Sequence, residues 1–240
     1  MTSIYKFKQL IRDLFLYFGN PFNLFSFSPQ HMKLIEFGPF DCVLHIGADI
    51  GQELSLYKFI GVKRIIWVEP NKKSLSKLKR RAIFYPKIQH DFVKALVSDT
   101  TGQSVTFYKF NKTGASSMFE PTQDFLKSNH KRYISKTETY MTSTIVDALG
   151  KETIIRGRNN LLVIDTQCSE YKILKSFPRE LILKFRILMC EISVDQYIVD
   201  YTTDELLEQI NRLGYKQVLA PIRKSDDAIF RLDIGSYNVL

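Results

Sequence analysis

The chain has 240 residues, 45% of them hydrophobic and 25% charged, enough for one sizeable core and too apolar for a wholly disordered protein. With 34 Lys+Arg against 25 Asp+Glu the net charge is +9, which suits an anionic partner, yet no RGG run or long basic tail points to nucleic acid. Three cysteines (Cys42, Cys168, Cys190) without C-x-x-C or Cys/His spacing leave a zinc module and a disulfide framework unsupported, and no apolar stretch reaches the roughly 18 residues of a membrane span.

In chain order, residues 1–40 form a segment of their own. Ile4, Phe7, Leu10, Ile11, Leu14, Phe15 and Phe18 follow helical spacing, and Gly19-Asn20-Pro21 stops that helix. An irregular aromatic stretch follows to Pro29. The helix is expected to pack on the main domain; the alternative is peripheral membrane contact through residues 1–30, favoured by Lys6, Lys8, Arg12 and the aromatics. Leu14–Phe18 follows Arg12 and Asp13 and precedes no small-residue cleavage site, so it does not read as a signal peptide, and a cytoplasmic protein is expected.

From residue 41 onward strands and helices alternate. Strands are expected at 42–46, at 64–69, near the end of 87–98 (F-V-K-A-L-V), at 103–110, 160–165 and 185–192, with two short ones around 216–220 and 229–232. Helices are expected at 52–60, 72–82 with Asn71 as N-cap, and 171–177. Another follows the capping-box pair Thr202/Glu205 and stops at Gly214. Residues 111–140 are polar and irregular and read as an insertion over the site. The alternation implies an α/β, Rossmann-like, doubly wound and mostly parallel sheet, with residues 41–240 as one domain. Ligands of such sheets sit at the carboxyl ends of the strands, which directs attention to Gly47/Asp49, Glu69, Ser98/Asp99, Asp165 and Glu191.

Residues 43–53 read V-L-H-I-G-A-D-I-G-Q-E. Gly47 and Gly51 bracket a strand-to-helix turn where a backbone can bend and a ligand can approach closely. About 20 residues later Glu69 ends the next strand, the spacing that grips ribose hydroxyls. G-x-G-x-x-G and the P-loop are both absent, so a pyrophosphate is disfavoured. An adenosine with a short zwitterionic tail, S-adenosylmethionine, fits better. Its amino-acid end would meet the loop, its ribose Glu69, and its adenine Ala95–Ser98.

H-I-G-A-D-I-G-Q resembles the D-x-G-A-N-x-G-Q signature of FkbM-type methyltransferases, a branch of the class I S-adenosylmethionine fold. V-E-P-N (68–71), A-L-V-S-D-T-T-G (95–102), A-S-S (115–117), T-S-T-I-V-D (142–147) and V-I-D-T-Q-C-S-E-Y-K-I-L-K (163–175) are similar to that family's further segments, in the same order. The resemblance covers roughly residues 40–220. It implies a seven-stranded sheet whose last strand is antiparallel, and methyl transfer to an oxygen of a sugar, a glycan or a similar small molecule.

The resemblance further implies a cofactor set of His45, Gly47, Ala48, Asp49, Gly51, Glu69, Pro70, Asn71, Ala95, Leu96, Ser98 and Asp165. The chain departs from the pattern at three places. His45 stands where the family has an Asp that helps hold the methionine ammonium, Asp49 replaces an Asn, and Cys168 replaces a Gly. For the chemistry, Asp165, Glu170 and Glu191 are the expected acids or bases. Asp165 with Glu191 is also a candidate pair for a divalent ion, though no metal-ligand motif supports it. Nucleic acid is not an expected partner. Three other readings compete: a non-catalytic binding relative, a nicotinamide-dependent oxidoreductase, and an RNA methylase suggested by charge alone.

Overall fold

The computed structural model describes residues 28–112, 114–128, 130–150, 155–221 and 227–233. The amphipathic helix expected at 4–18, and nearly all of the membrane contact expected through 1–30, lie outside them.

Seven strands form one sheet in the order β3-β2-β1-β7-β8-β10-β9. They are β1 (Cys42–Ile46), β2 (Arg64–Val68), β3 (Gln89–Val93), β7 (Asn160–Ile164), β8 (Ile187–Glu191), β9 (Tyr215–Leu219) and β10 (Asp227–Leu232). β10, the last strand, runs antiparallel to both of its neighbours, β8 and β9; the other pairings are parallel. The order reverses between β1 and β7, because the chain builds outward from β1 through β2 to β3 and then returns to β7 on the other flank. A crevice opens at the carboxyl tips of two strands where such a reversal occurs.

Central strands bury both faces and therefore read as nearly unbroken apolar runs; β1, β7 and β8 are buried at every position. The alternation within β1 sorts its side chains. Cys42, Leu44 and Ile46 join a core packed by α5 (Ile145–Leu149), α6 (Glu170–Lys175), α7 (Arg179–Ile182) and α8 (Thr203–Arg212). Val43 joins the opposite core, under α1 (Pro29–Phe37), α2 (Leu54–Ile60) and α3 (Lys72–Ala82). Position 45 shares that second face. His45 lies in register with Trp67, its ring 5.4 Å from the indole, and its Nδ1 is 2.9 Å from the Tyr57 hydroxyl on α2. The strand histidine is thus a buried, partnered member of an aromatic cluster.

Two sequence expectations are corrected. The strand in 87–98 lies at its start, as β3, and is followed by the two-residue β4 (Leu96–Val97). Residues 111–140 are not irregular throughout. They contain α4 (Gln123–Ser128) and most of β6 (Ile134–Ser143), which pairs antiparallel with β5 (Ser104–Phe110) and parallel with β4 in a separate three-stranded sheet. A further helix, α1, starts at Pro29, where the irregular aromatic stretch ends. Ser28 caps it, accepting from the His31 N–H, and Leu34 is wholly buried against the second core.

The capping box on α8 is present as read. Thr202 Oγ1 accepts from Glu205 N–H, and Glu205 Oε2 accepts from Thr202 N–H at 2.7 Å. Its apolar stripe, Leu206 and Ile210, is fully buried. Replacing Thr202 by Ala removes one half of the box and should cost about 1 kcal/mol, read as a lower urea midpoint with an unchanged m-value; an unchanged midpoint would contradict the assignment.

Candidate active site

The glycine turn is shaped by close packing. Gly47 has φ +85°, and a Cβ there would lie 1.8 Å from the Asp165 carbonyl oxygen at the tip of β7, so no side chain fits. Gly47 and Ala48 N–H groups both donate to the Val68 carbonyl, at 2.9 and 3.1 Å, tying the loop to the end of β2. Gly51 has φ +67° and packs its bare Cα against Leu78 of α3. Gly47 lets the β1 loop lie close against both neighbouring strand tips, and Gly51 lets it lie against α3.

Glu69 completes the arrangement. Its Oε2 accepts from Asp49 N–H at 2.9 Å and its Oε1 from Asn71 N–H at 2.7 Å. One carboxylate therefore joins the β1 loop to the β2 loop, and it faces the crevice between them. Burial pushes its pKa up to about 8, against the two N–H bonds that favour its charge.

The crevice, about 770 Å³ counting its open mouth, gathers most of the residues expected from the sequence: His45, Gly47, Ala48, Asp49, Glu69, Pro70, Asn71, Ala95, Leu96 and Asp165 all line it. Gly51 and Ser98 do not. Gly51 shapes the loop from behind. Ser98 is turned into the protein, where its Oγ donates to Asp99 and its N–H to the Ser143 carbonyl; Val97 takes its place on the wall. The A-S-S element forms a roof through Gly114, Ala115 and Ser116. It is held by Tyr197, whose hydroxyl donates to the Ala115 carbonyl at 2.6 Å, and by Ser117, whose hydroxyl donates to the Gln167 carbonyl at 2.6 Å.

The three candidate acids separate. Asp165 opens on the crevice, its carboxyl raised above the usual carboxylate range by burial. Glu170 does not line it: its Oε1 accepts from both the N–H and the hydroxyl of Thr166, at 2.8 Å each, so it pins the loop after β7. Glu191 stands behind the crevice, with burial pushing it up to about 10. Gln167 Nε2 donates to Asp165 Oδ1 (3.0 Å) and Glu191 Oε2 (2.9 Å), so an amide occupies the space between the two carboxyls considered for a divalent ion. Among the described residues no group of three or more His, Cys, Asp or Glu is arranged to hold a metal ion. Gln167 and Cys168 both have positive φ, 57° and 73°; the second stands where the resemblance has glycine, which adopts that conformation without strain.

Sequence reading missed Gln52, Glu53, Ser74, Phe107, Thr166, Gln167 and Ser169, all of which line the crevice. Gln52 and Glu53 were legible as the residues directly after the glycine turn. Phe107 was not, since only the folded second sheet brings it across.

A Rossmann-like sheet with a glycine turn, a strand-end acid and a crevice at its reversal point defines an α/β protein of the nucleotide-cofactor class. The methyltransferase FkbM domain profile matches residues 41–216, so the chain belongs to the FkbM methyltransferase family. A comparison with curated proteins found no match. Among solved structures, the chain is similar to methyltransferase FkbM from Methylobacillus flagellatus KT at 14% identity and TM-score 0.48, covering 80% of this chain and 43% of that one. It is similar to M. capricolum TrmK in complex with S-adenosyl-homocysteine (11%, TM-score 0.46, 86% and 69%). It is also similar to the magnesium protoporphyrin IX methyltransferase of Synechocystis PCC 6803 with bound SAM (10%, TM-score 0.41, 83% and 74%). This chain thus spans less than half the length of the Methylobacillus protein. No helix among the described residues is long and apolar enough to cross a membrane.

The buried acids predict the pH dependence of stability. Burial raises Glu53 and Glu170 to about 7, Glu69 to about 8 and Glu191 to about 10, whereas the unfolded chain releases these protons near 4.5. The folded state then holds more protons than the unfolded state, so stability falls as pH rises toward these folded values. Buried His45, lowered to about 3, works the other way only below about 6.5, where the unfolded chain protonates. Between pH 6.5 and 9 the melting temperature of the unliganded protein should therefore fall, and Glu191→Gln should flatten the slope. A melting temperature that rises with pH over this window would contradict the burial of these carboxyls.

Proposed function

We propose that the chain is an S-adenosylmethionine-dependent O-methyltransferase acting on a hydroxyl of a sugar, glycan or similar small molecule. The observation that carries this reading is Glu69, a carboxylate facing the crevice from the tip of β2 while joined to the loop of β1. The residues present fit the donor. Gly47 leaves its place free of any side chain, Asp49 Oδ2 is a buried acceptor without a partner, and Ala95, Leu96 and Val97 offer an apolar wall for a flat base.

When bound, the sulfonium supplies an electrophilic methyl group. The protein's part is to hold both ends of the donor, align an acceptor oxygen and keep water out. Glu69 would take the ribose hydroxyls on its remaining lone pairs. The loop amides near Gly47 would meet the amino-acid end. Asp165, the open carboxyl of the three, is placed to accept the proton an attacking hydroxyl releases; a pKa raised by burial makes it a stronger base than a surface aspartate. Gln167 fixes its orientation, and Glu170 fixes the loop that carries both. The polar side chains lining the crevice beside Asp165 (Ser116, Thr166, Gln167 and Ser169) suit an acceptor rich in hydroxyls.

Calorimetry with S-adenosylhomocysteine tests the donor assignment. Glu69→Ala should lower affinity tenfold or more while the melting curve stays cooperative; unchanged affinity would overturn the ribose role. Incubation with methyl-labelled S-adenosylmethionine and a panel of nucleotide- and lipid-linked sugars tests the acceptor. Label should enter an alkali-stable ether, and an alkali-labile methyl ester would overturn the hydroxyl reading.

A further inference from the structure

The donor proposed above brings an ammonium, a carboxylate and a sulfonium into one crevice, so the wall must answer positive as well as negative charge. His45 cannot do so. Burial among Tyr57 and Trp67 holds its pKa down to about 3, so it is neutral, and its Nδ1 is already used by the Tyr57 hydroxyl.

Besides the ribose acid Glu69, three carboxyls line the crevice: Asp49, Glu53 and Asp165. Two are already answered. Asp49 is met by the Ser74 hydroxyl and by the charges of Lys77 and Arg81 on α3, with only its Oδ2 left over. Asp165 accepts from Gln167 Nε2. Glu53 differs from both. It sits in the turn just before α2, makes no side-chain cap, and among the described residues accepts a hydrogen bond from no other side chain. The strongest charge acting on it is the like charge of Asp165; its own amide and the charge of Arg81 oppose that, and Asp49 adds to it. A half-buried crevice carboxyl answered only by its own amide either keeps its proton or waits for a cation.

We infer that Glu53 is the positioning residue that holds the donor's ammonium in this chain, supplying the negative charge that position 45 lacks. The inference rests on the methyl-donor reading. It also explains why the protein tolerates a neutral imidazole at the end of β1: the compensating carboxylate comes from eight residues further along, on the far side of the same glycine turn. The sulfonium, being permanently charged, adds to the field that favours ionised Glu53.

Two probes separate the ammonium from the rest of the ligand. S-Adenosylhomocysteine carries the amino-acid end, and 5′-methylthioadenosine lacks it while keeping adenine and ribose. At pH 8, Glu53→Gln should lower affinity for the first tenfold or more and leave the second within about twofold. The wild-type preference for S-adenosylhomocysteine over methylthioadenosine should grow from pH 6 to 8, as Glu53 ionises near 7, and should be flat in Glu53→Gln. Glu69, which titrates in the same range, affects both probes and cancels in the ratio. Equal losses for both probes, or no loss for either, would overturn the role of Glu53 while leaving the donor reading in place. Wild-type protein that binds neither probe would reject the donor reading itself. Because the substitution removes a carboxyl that faces the like charges of Asp165 and Asp49, the unliganded variant should melt no lower than wild type at pH 8; a lower melting point with equal losses marks Glu53 as structural.

Discussion

One carboxylate joins the two loops that make the site. Glu69 accepts an N–H from Asp49 at the end of the β1 turn and another from Asn71 at the start of α3. Parallel strands need no direct connection at their tips, and this double acceptor adds to the Gly47 and Ala48 bonds to the Val68 carbonyl in holding the two loops together. The same group that would meet a ribose therefore also sets the width of the crevice that admits it. Its position is enforced from the other side by Gly47, where the backbone passes so close to the Asp165 carbonyl that only glycine fits.

The crevice also concentrates carboxyls to a degree that the folded protein alone does not neutralise. Asp49, Glu53, Glu69 and Asp165 line it, with Glu191 just behind, and burial raises every one of them. A net charge of +9 helps little, because much of the basic surplus, such as Lys79 and Arg80 at the end of α3, sits on exposed surface. Repulsion of this kind destabilises the empty protein and is relieved by a cationic ligand, so binding and stability are coupled through the same side chains.

Most of the framework was legible in the sequence because it rests on local signals. The run C-V-L-H-I before G-A-D-I-G, the capped start at Asn71, the acid at Glu69 and the Thr202/Glu205 pair each fix an element within a few residues. What escaped the reading depends on distant partners. β6 carries a single buried side chain, so no apolar alternation marks it, and its pairing with β5 decides its conformation. β3 is an edge strand with no fully buried residue. The fate of His45 was decided by Tyr57, twelve residues on and on a helix folded back over the strand. Likewise Ser98 reads as a wall residue by its place in A-L-V-S-D, yet the β4–β6 pairing turns it inward. The roles of Asp165, Glu170 and Glu191, alike as strand-end and helix-start acids, are separated only by what Thr166 and Gln167 donate to them.

The most direct measurement is a crystal structure of the protein with S-adenosylhomocysteine. The account predicts the ribose hydroxyls within hydrogen-bond distance of Glu69, the amino-acid end against the Gly47 turn, and adenine against Ala95–Val97. Ligand bound elsewhere, or seated in the crevice with its ribose out of reach of Glu69, would contradict it.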